Sequence, residues 1–210
     1  MLLIILFMYI FSFTIYSGLP FFLSSARLIY IGILPFYLIN KEWQKASIKI
    51  LKNKKVFSIL CLLFSIILYT IFVSTAYSTY DYSILSPFIN QFIAIIFGII
   101  IFSLFKLKNK IKNIPKYLIY IFVLQSLIQF LSFVSPTIRN LLNIFRSESS
   151  ILIAEKYNYI RGLAISGGQF FSLGVGFGLA FIIYFYFWNK PFKRTSVLKY
   201  LSLIFLFFGA

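Results

Sequence analysis

The chain alternates long apolar runs with short basic segments, and this pattern restricts the fold more than any other feature of the sequence. A helix needs about 20 predominantly apolar residues to cross the hydrocarbon core of a bilayer. Six runs approach this length, at about 2–17, 19–39, 56–76, 87–105, 117–134 and 169–188, and a seventh covers 200–210. The sequence therefore predicts an all-α, polytopic membrane protein, a helical bundle with six complete transmembrane helices and a truncated seventh.

The composition agrees with a membrane protein. Hydrophobic residue types make up 61% of the 210 residues and charged types 11%, whereas soluble domains average about 45–50% apolar and about 25% charged residues. A soluble globular domain is therefore excluded. The net charge of +16 can indicate nucleic-acid binding, but the lysines lie in short segments between apolar runs, so we expect no nucleic-acid partner.

The basic residues predict the orientation of the chain in the membrane. Segments 41–55, 106–116 and 189–199 hold 15 of the 20 lysines and arginines, and the intervening segment 77–86 holds none. Basic segments between spans stay on the cytoplasmic side, where lysines also contact anionic lipids. We therefore expect a multi-pass protein of the bacterial cytoplasmic (inner) membrane, with a cytoplasmic N-terminus and with 135–168 as a long outside loop.

Both ends of the chain carry an expectation. No basic residue precedes Arg27, so the first apolar run lacks the basic start of a signal peptide and is interpreted as an uncleaved span. Residues 200–210 would make only about 16 Å of helix, roughly half a bilayer. We expect residues 1–210 to be one transmembrane domain, the N-terminal part of a longer chain, so that part of any active site is missing and the fragment is inactive alone.

The residue inventory limits the possible chemistry. The chain has no histidine, one cysteine and four acidic residues. This excludes catalytic triads, histidine bases and histidine metal sites, and Glu148 and Glu155 are not spaced as a metal site. We therefore expect no metal and no cofactor.

The outside loop begins with a helix signal. Ser135 followed by Pro136 resembles an N-cap and a first helical residue. Apolar residues then recur at helical spacing, at Ile138, Leu141, Leu142 and Phe145. The pattern predicts a short interfacial helix on the outer side of the membrane.

The same loop holds the candidate binding residues. Arg161 and Gly162 precede the Gly167-Gly168 turn at the start of the sixth run. A guanidinium suits phosphate and pyrophosphate, and glycines let the backbone approach a ligand, so this segment is a candidate site for an anionic lipid-linked head group. The alternative is a snorkelling arginine beside a flexible turn.

Other polar residues have two possible interpretations each. Arg27 either faces a polar cavity or anchors its helix at the interface, and Arg139 and Arg146 either bind substrate or contact lipid head groups. Gln125 and Gln129 either form hydrogen bonds between helices or line a polar cavity. Gly174, Gly176 and Gly178 line the sixth run, and the GxxxG spacing of Gly174 and Gly178 predicts close helix packing.

The segment from Arg161 to Gly174, RGLAISGGQFFSLG, together with the Phe/Ile/Tyr-rich spans and the long outside loop, resembles bacterial O-antigen and capsule polymerases of the Wzy type and the related O-antigen ligases. The glycine directly after Arg161 and the lack of proline depart from that pattern. The resemblance implies a metal-independent glycosyltransferase that joins undecaprenyl-diphosphate-linked repeat units outside the cytoplasmic membrane. It also implies that Arg161 contacts the diphosphate with Arg27 as helper, and that Glu155 is a candidate base.

The implied partners are the lipid-linked glycan, membrane lipids, and the flippase and chain-length regulator of the same pathway. Two alternatives stay open. A polysaccharide or lipid flippase, or another transporter, would show charges along its path and paired repeats. An O-antigen ligase would need a histidine in a later loop.

Overall fold

The structure is a computed structural model that describes residues 1–16, 23–77, 85–146, 151–152, 155–156, 170–188 and 196–209. Its helices are α1 (Leu2–Ile10), α2 (Ser25–Ile39), α3 (Lys41–Leu51), α4 (Lys54–Ala76), α5 (Leu85–Leu107), α6 (Ile114–Val134), α7 (Pro136–Asn143), α8 (Phe170–Trp188) and α9 (Ser196–Gly209). A 3₁₀ turn, Ile111–Asn113, precedes α6, and two short strands, β1 (Thr14–Tyr16) and β2 (Leu23–Ser24), pair antiparallel.

The chain divides into two compact units. The middle unit is Ile33–Ile111, and the composite unit combines Met1–Gly32 with Lys112–Ala210. The middle unit holds α3, α4 and α5, and the composite unit holds α1, the strand pair and α6 to α9. The single transmembrane domain expected from the sequence stays a prediction.

Three helices are long and apolar enough to cross a membrane: α4, α5 and α6, the last taken together with its 3₁₀ turn. Each begins two or three residues before the corresponding apolar run and reaches or passes its end, so the third, fourth and fifth predicted spans are confirmed as helices. The prediction of six complete spans is not confirmed. α2 has only 15 residues, and the apolar segment Gly174–Tyr186 of α8 is also shorter than a span.

The prediction of a first span over about 2–17 is wrong. Helix α1 has nine residues, about 14 Å at a rise of 1.5 Å per residue, against a hydrocarbon core of about 30 Å. The helix ends because Ser25 supplies its next hydrogen bonds: the Ser25 hydroxyl donates to the Met8 carbonyl (2.9 Å) and accepts from the Phe13 amide (3.1 Å). The chain then enters β1, which pairs with β2 through Thr14 and Ser24.

The basic segment 41–55, expected as a loop, is largely the helix α3. Asn40 caps it by accepting from the Trp43 amide (3.0 Å), as short polar residues do at helix starts. Lysines occupy its exposed face, while Trp43 and Ser47 are buried. Because the segment is amphipathic, packing on a neighbouring helix stabilises it despite its charge.

Buried hydrogen bonds hold α3 against α5 in the middle unit. The Trp43 indole donates to the Ile100 carbonyl and to the Ser103 hydroxyl, both at 2.8 Å. The Ser47 hydroxyl donates to the Trp43 carbonyl (3.0 Å) and lies 2.7 Å from the Ser103 hydroxyl. This network gives each buried polar group a partner, which low-dielectric surroundings require.

Helix α6 lies at the centre of the composite unit, where α1, α7, α8 and α9 pack against it. Phe122 joins two of these helices, because its ring meets Phe11 at 5.3 Å and Phe177 at 5.1 Å, both edge to face. Such aromatic pairs add about 0.5–1.5 kcal/mol beyond the area they bury. Phe130 meets Phe205 of α9 in the same way at 6.4 Å.

Of the three glycines for which close helix packing is predicted, Gly176 makes the close contact seen among the described residues. Among the described residues, a Cβ on Gly174 or Gly178 would meet nothing within 4 Å, whereas a Cβ on Gly176 would lie 2.9 Å from two atoms of the Phe122 ring. The close contact between α8 and α6 therefore depends on Gly176. Helical spacing identifies residues that share a face but does not reveal which face meets a neighbour.

Candidate functional site

The C-terminal end of α6 and the helix α7 form the best-defined part of the predicted site. The Ser135 hydroxyl accepts from the Ile138 amide at 3.5 Å, and Pro136 is the first residue of α7. This confirms the predicted cap and the short helix in the loop. One residue therefore separates a membrane-length helix from a short amphipathic one, which brings the side chains of α7 back over the end of α6.

Arg139 lies at this junction, half-buried. Its Nε donates to the Ser132 carbonyl at 3.1 Å and its terminal nitrogen to the Phe133 carbonyl at 3.2 Å. The last carbonyls of a helix lack intrahelical partners and carry partial negative charge, so a guanidinium there is favourable. Arg139 is thereby held as a positive charge at the carboxyl end of α6.

Arg146 follows α7 and is buried, with 3% of its surface exposed. Its guanidinium donates to the Asn143 side-chain oxygen at 2.9 Å. The preceding residue, Phe145, packs edge to face on Phe13 at 5.8 Å, which ties this segment to the turn after α1. Its low exposure places Arg146 in the interior of the unit rather than on an exposed lipid-facing surface. The bond to Asn143 offsets part of the cost of burying its charge.

The other predicted site residues lie elsewhere. Arg27 is exposed in the first turn of α2, where its amide donates to the Ser24 hydroxyl at 3.3 Å. Glu155 is exposed beyond α7. Arg161, Gly162, Gly167 and Gly168 lie outside the described residues, so the predicted Arg-Gly turn stays a prediction. Of the predicted set, the structure brings Arg139 and Arg146 into one segment.

A polar stripe that sequence reasoning only partly recognised runs along α6. We use this name for Gln125, Ser126, Gln129 and Ser132, which are 0–5% exposed. Among the described residues, neither amide atom of Gln125 nor the Ser126 hydroxyl has a hydrogen-bond partner. Of the two interpretations of Gln125, the hydrogen bond between helices finds no partner among the described residues, and the polar cavity stays a prediction. A buried polar group without a partner costs about 1–3 kcal/mol, so Gln125 and Ser126, but not Ser132, favour a polar occupant.

The stripe begins one turn after Phe122, the residue that contacts the interrupted end of α1 at Phe11. Sequence reasoning missed Ser126 and Ser25, because a serine in an apolar run is usually satisfied by its own helix. The visible signal was a cluster of four polar residues within eight positions of an otherwise apolar run, 125–132. In membrane proteins, polar residues inside a span face the bundle interior and mark functional sites.

The remaining features offer less chemistry. Among the described residues, no three His, Cys, Asp or Glu side chains converge as a metal site would require. A groove between α8 and α9 has an apolar lining of Phe181, Phe185, Leu203, Ile204 and Phe207. It offers hydrocarbon surface and no catalytic group.

Comparison of the chain with protein-family models, with characterised proteins and with solved structures finds no match. The chemistry of the site therefore has to be argued from its own residues.

Proposed function

We propose that the protein is a membrane polysaccharide polymerase, which joins lipid-diphosphate-linked repeat units in O-antigen, capsule or exopolysaccharide synthesis. The observation that carries the proposal is Arg139, a guanidinium fixed by two carbonyls at the end of a membrane-length helix. A fixed cation at the end of a membrane-length helix suits a diphosphate that stays attached to its lipid. The resemblance of the Arg161 segment to Wzy-type polymerases supports the same substrate.

The reaction needs positive charge beside the departing diphosphate, and arginine side chains can supply it in place of a metal ion. A hydroxyl oxygen of the acceptor sugar bonds to the anomeric carbon of the donor glycan, and the bond from that carbon to the diphosphate oxygen breaks. The acceptor proton passes to a base, for which Glu155 is the candidate, and the electron pair leaves on the diphosphate. Arginines stabilise that developing charge through paired N–H donors, so Arg139 and Arg161 are proposed to hold the leaving group, with Arg27, Gly162, Gly167 and Gly168 lining the binding region.

The proposal includes a topology. In this topology the basic segments and the N-terminus of the chain face the cytoplasm. Helix α7 lies on the outer side of the bacterial cytoplasmic membrane, where lipid-linked repeat units are joined. Six spans would require the chain before α3 to cross the membrane twice, although α1 alone is too short to cross once, and would require α8 to cross together with neighbouring residues. The proposed partners are the lipid-linked glycan, the flippase that delivers it and the regulator of chain length.

The test is a genetic one in the host organism, with polysaccharide chain length read on a gel. Replacement of the chromosomal gene by Arg139→Lys or Arg161→Ala is expected to remove long chains and leave single repeat units, because lysine cannot offer a planar fork. Arg194→Ala, an arginine in a predicted cytoplasmic segment, is the matched control and should preserve the ladder. Unchanged ladders in both Arg139→Lys and Arg161→Ala, at normal protein level, would overturn the proposal.

A transporter is the second candidate, and the interruption of α1 favours it. Secondary transporters bind substrate where discontinuous helices meet polar groups near the middle of the membrane. The two functions give different products when the gene is deleted. Loss of a polymerase leaves single repeat units outside the membrane, where added periodate oxidises them, whereas loss of a flippase leaves them inside and protected.

A further inference from the structure

Two adjacent side chains in the middle of α6 carry polar atoms that the fold leaves unused. Gln125 and Ser126 are both 0% exposed. Their three polar atoms, the Gln125 Oε1 and Nε2 and the Ser126 Oγ, have no hydrogen-bond partner among the described residues. Solvent cannot reach them at the surface of the unit, so any partner has to be bound inside it.

The other buried serines show that this arrangement is unusual for the molecule. The hydroxyls of Ser47, Ser103 and Ser132 donate to backbone carbonyls within their own helices, at 3.0, 2.7 and 2.9 Å. A serine in a helix commonly satisfies itself in this way. The Ser126 hydroxyl does not, and it lies beside an amide that also lacks a partner.

The surroundings of the pair are suited to a small polar occupant. One turn earlier on α6, the Phe122 ring contacts Phe11 and Phe177 edge to face, and residues three and four positions apart share a helix face. Phe11 is the residue at which α1 ends. Non-helical backbone at membrane depth is tolerated where it is buried or lines a polar cavity, and the end of α1 packs against the same helix that carries the pair.

We propose that Gln125 and Ser126 form a buried binding site for a hydroxyl group. An amide offers both a donor and an acceptor, and a serine hydroxyl can do either, so the pair matches a neutral group that also donates and accepts. Water and a sugar hydroxyl share this chemistry. The proposal goes beyond the polymerase function and does not rest on it, since a bound water would serve either candidate function.

The first experiment is radiolytic labelling of the purified chain in ¹⁸O-water and a detergent without hydroxyl groups, dodecyldimethylamine oxide. Bound water near a buried ring delivers labelled oxygen to it, so Phe122 is expected to gain ¹⁸O despite its burial. Gln125→Leu and Ser126→Ala should each reduce this label several-fold. Gln91→Leu, a glutamine on an exposed position of α5, and Ser132→Ala, a serine bonded within its helix, are the matched controls and should keep it.

The second experiment separates water from a sugar hydroxyl. Octyl glucoside is added below its micelle-forming concentration to the same samples, and the melting temperature is recorded. If the occupant is a sugar hydroxyl, Phe122 gains no ¹⁸O, and the additive raises the melting temperature of the native chain but not that of Gln125→Leu.

Either positive result supports the site. The proposal is overturned if Phe122 stays unlabelled and octyl glucoside has no effect; Gln125→Leu is then expected to be more stable than the native chain, because it removes an unsatisfied buried amide. Ser126→Ala provides the same comparison should Gln125→Leu not fold. None of these readouts depends on polysaccharide synthesis, so the site and the proposed function can fail separately.

Discussion

Replacement of Gly176 by alanine tests the close contact between α8 and α6. The new Cβ would lie 2.9 Å from the Cε1 and Cζ atoms of Phe122. The ring cannot move aside easily, because Phe11 and Phe177 contact it at centroid distances of 5.3 and 5.1 Å. Either the ring leaves its two aromatic contacts or the helices separate.

The expected magnitude follows from a comparison between two glycines of the same helix. Overpacking of a filled interior costs about 1–3 kcal/mol, while alanine gains about 0.5–1 kcal/mol over glycine in a helix. Gly178→Ala gains the helix preference of alanine alone, because its Cβ would meet nothing within 4 Å in the part of the chain that the structure describes. The free energy of unfolding of Gly176→Ala should therefore be lower than that of Gly178→Ala by about 1–3 kcal/mol.

The assay is unfolding in mixed micelles with increasing sodium dodecyl sulfate, followed by circular dichroism. Gly174→Ala, whose Cβ also meets no described residue within 4 Å, gives a second control on the same helix. Equal stability of Gly176→Ala and Gly178→Ala would refute the reasoning, because it would mean that α8 does not approach Phe122 at this glycine.

Two further predictions concern the middle unit and the topology. Trp43→Phe should lower the free energy of unfolding by about 1–3 kcal/mol, because buried acceptors lose the indole N–H. In a double-mutant cycle, this loss should be non-additive with that of Ser103→Ala. Additive losses would contradict the hydrogen-bond network. In a Cys61→Ser background, Lys49→Cys and Asn140→Cys should react with a membrane-impermeant maleimide from opposite sides of oriented vesicles. Labelling of both from one side would contradict the proposed topology.

The helices whose evidence is local could be predicted from the sequence. Helices α4, α5 and α6 follow from uninterrupted apolar length, and α7 follows from Ser135 and Pro136 at its start. In each case the determining residues lie within the element itself. The prediction therefore required no knowledge of which helices become neighbours.

The features that depend on distant contacts could not be predicted. The end of α1 depends on Ser25, which follows Phe11 by 14 residues, and its apolar sequence alone favours a longer helix. Arg139 could be recognised as a candidate, but its carbonyl partners depend on the sharp turn between α6 and α7. Segment 41–55 contains the helical spacing of Trp43 and Ser47, yet its lysines dominate any hydropathy average.

The short α1 has a consequence for how the protein enters its membrane. Phe122, its contact on α6, is synthesised 111 residues after Phe11, which takes roughly 5–20 s at common elongation rates. During that interval, α1 and the strand pair cannot pack against α6, because α6 has not yet been synthesised. Lipid does not accept uncovered backbone groups, so we expect the N-terminal segment to wait at the insertion machinery until α6 arrives, which makes assembly of this region a late event in biogenesis.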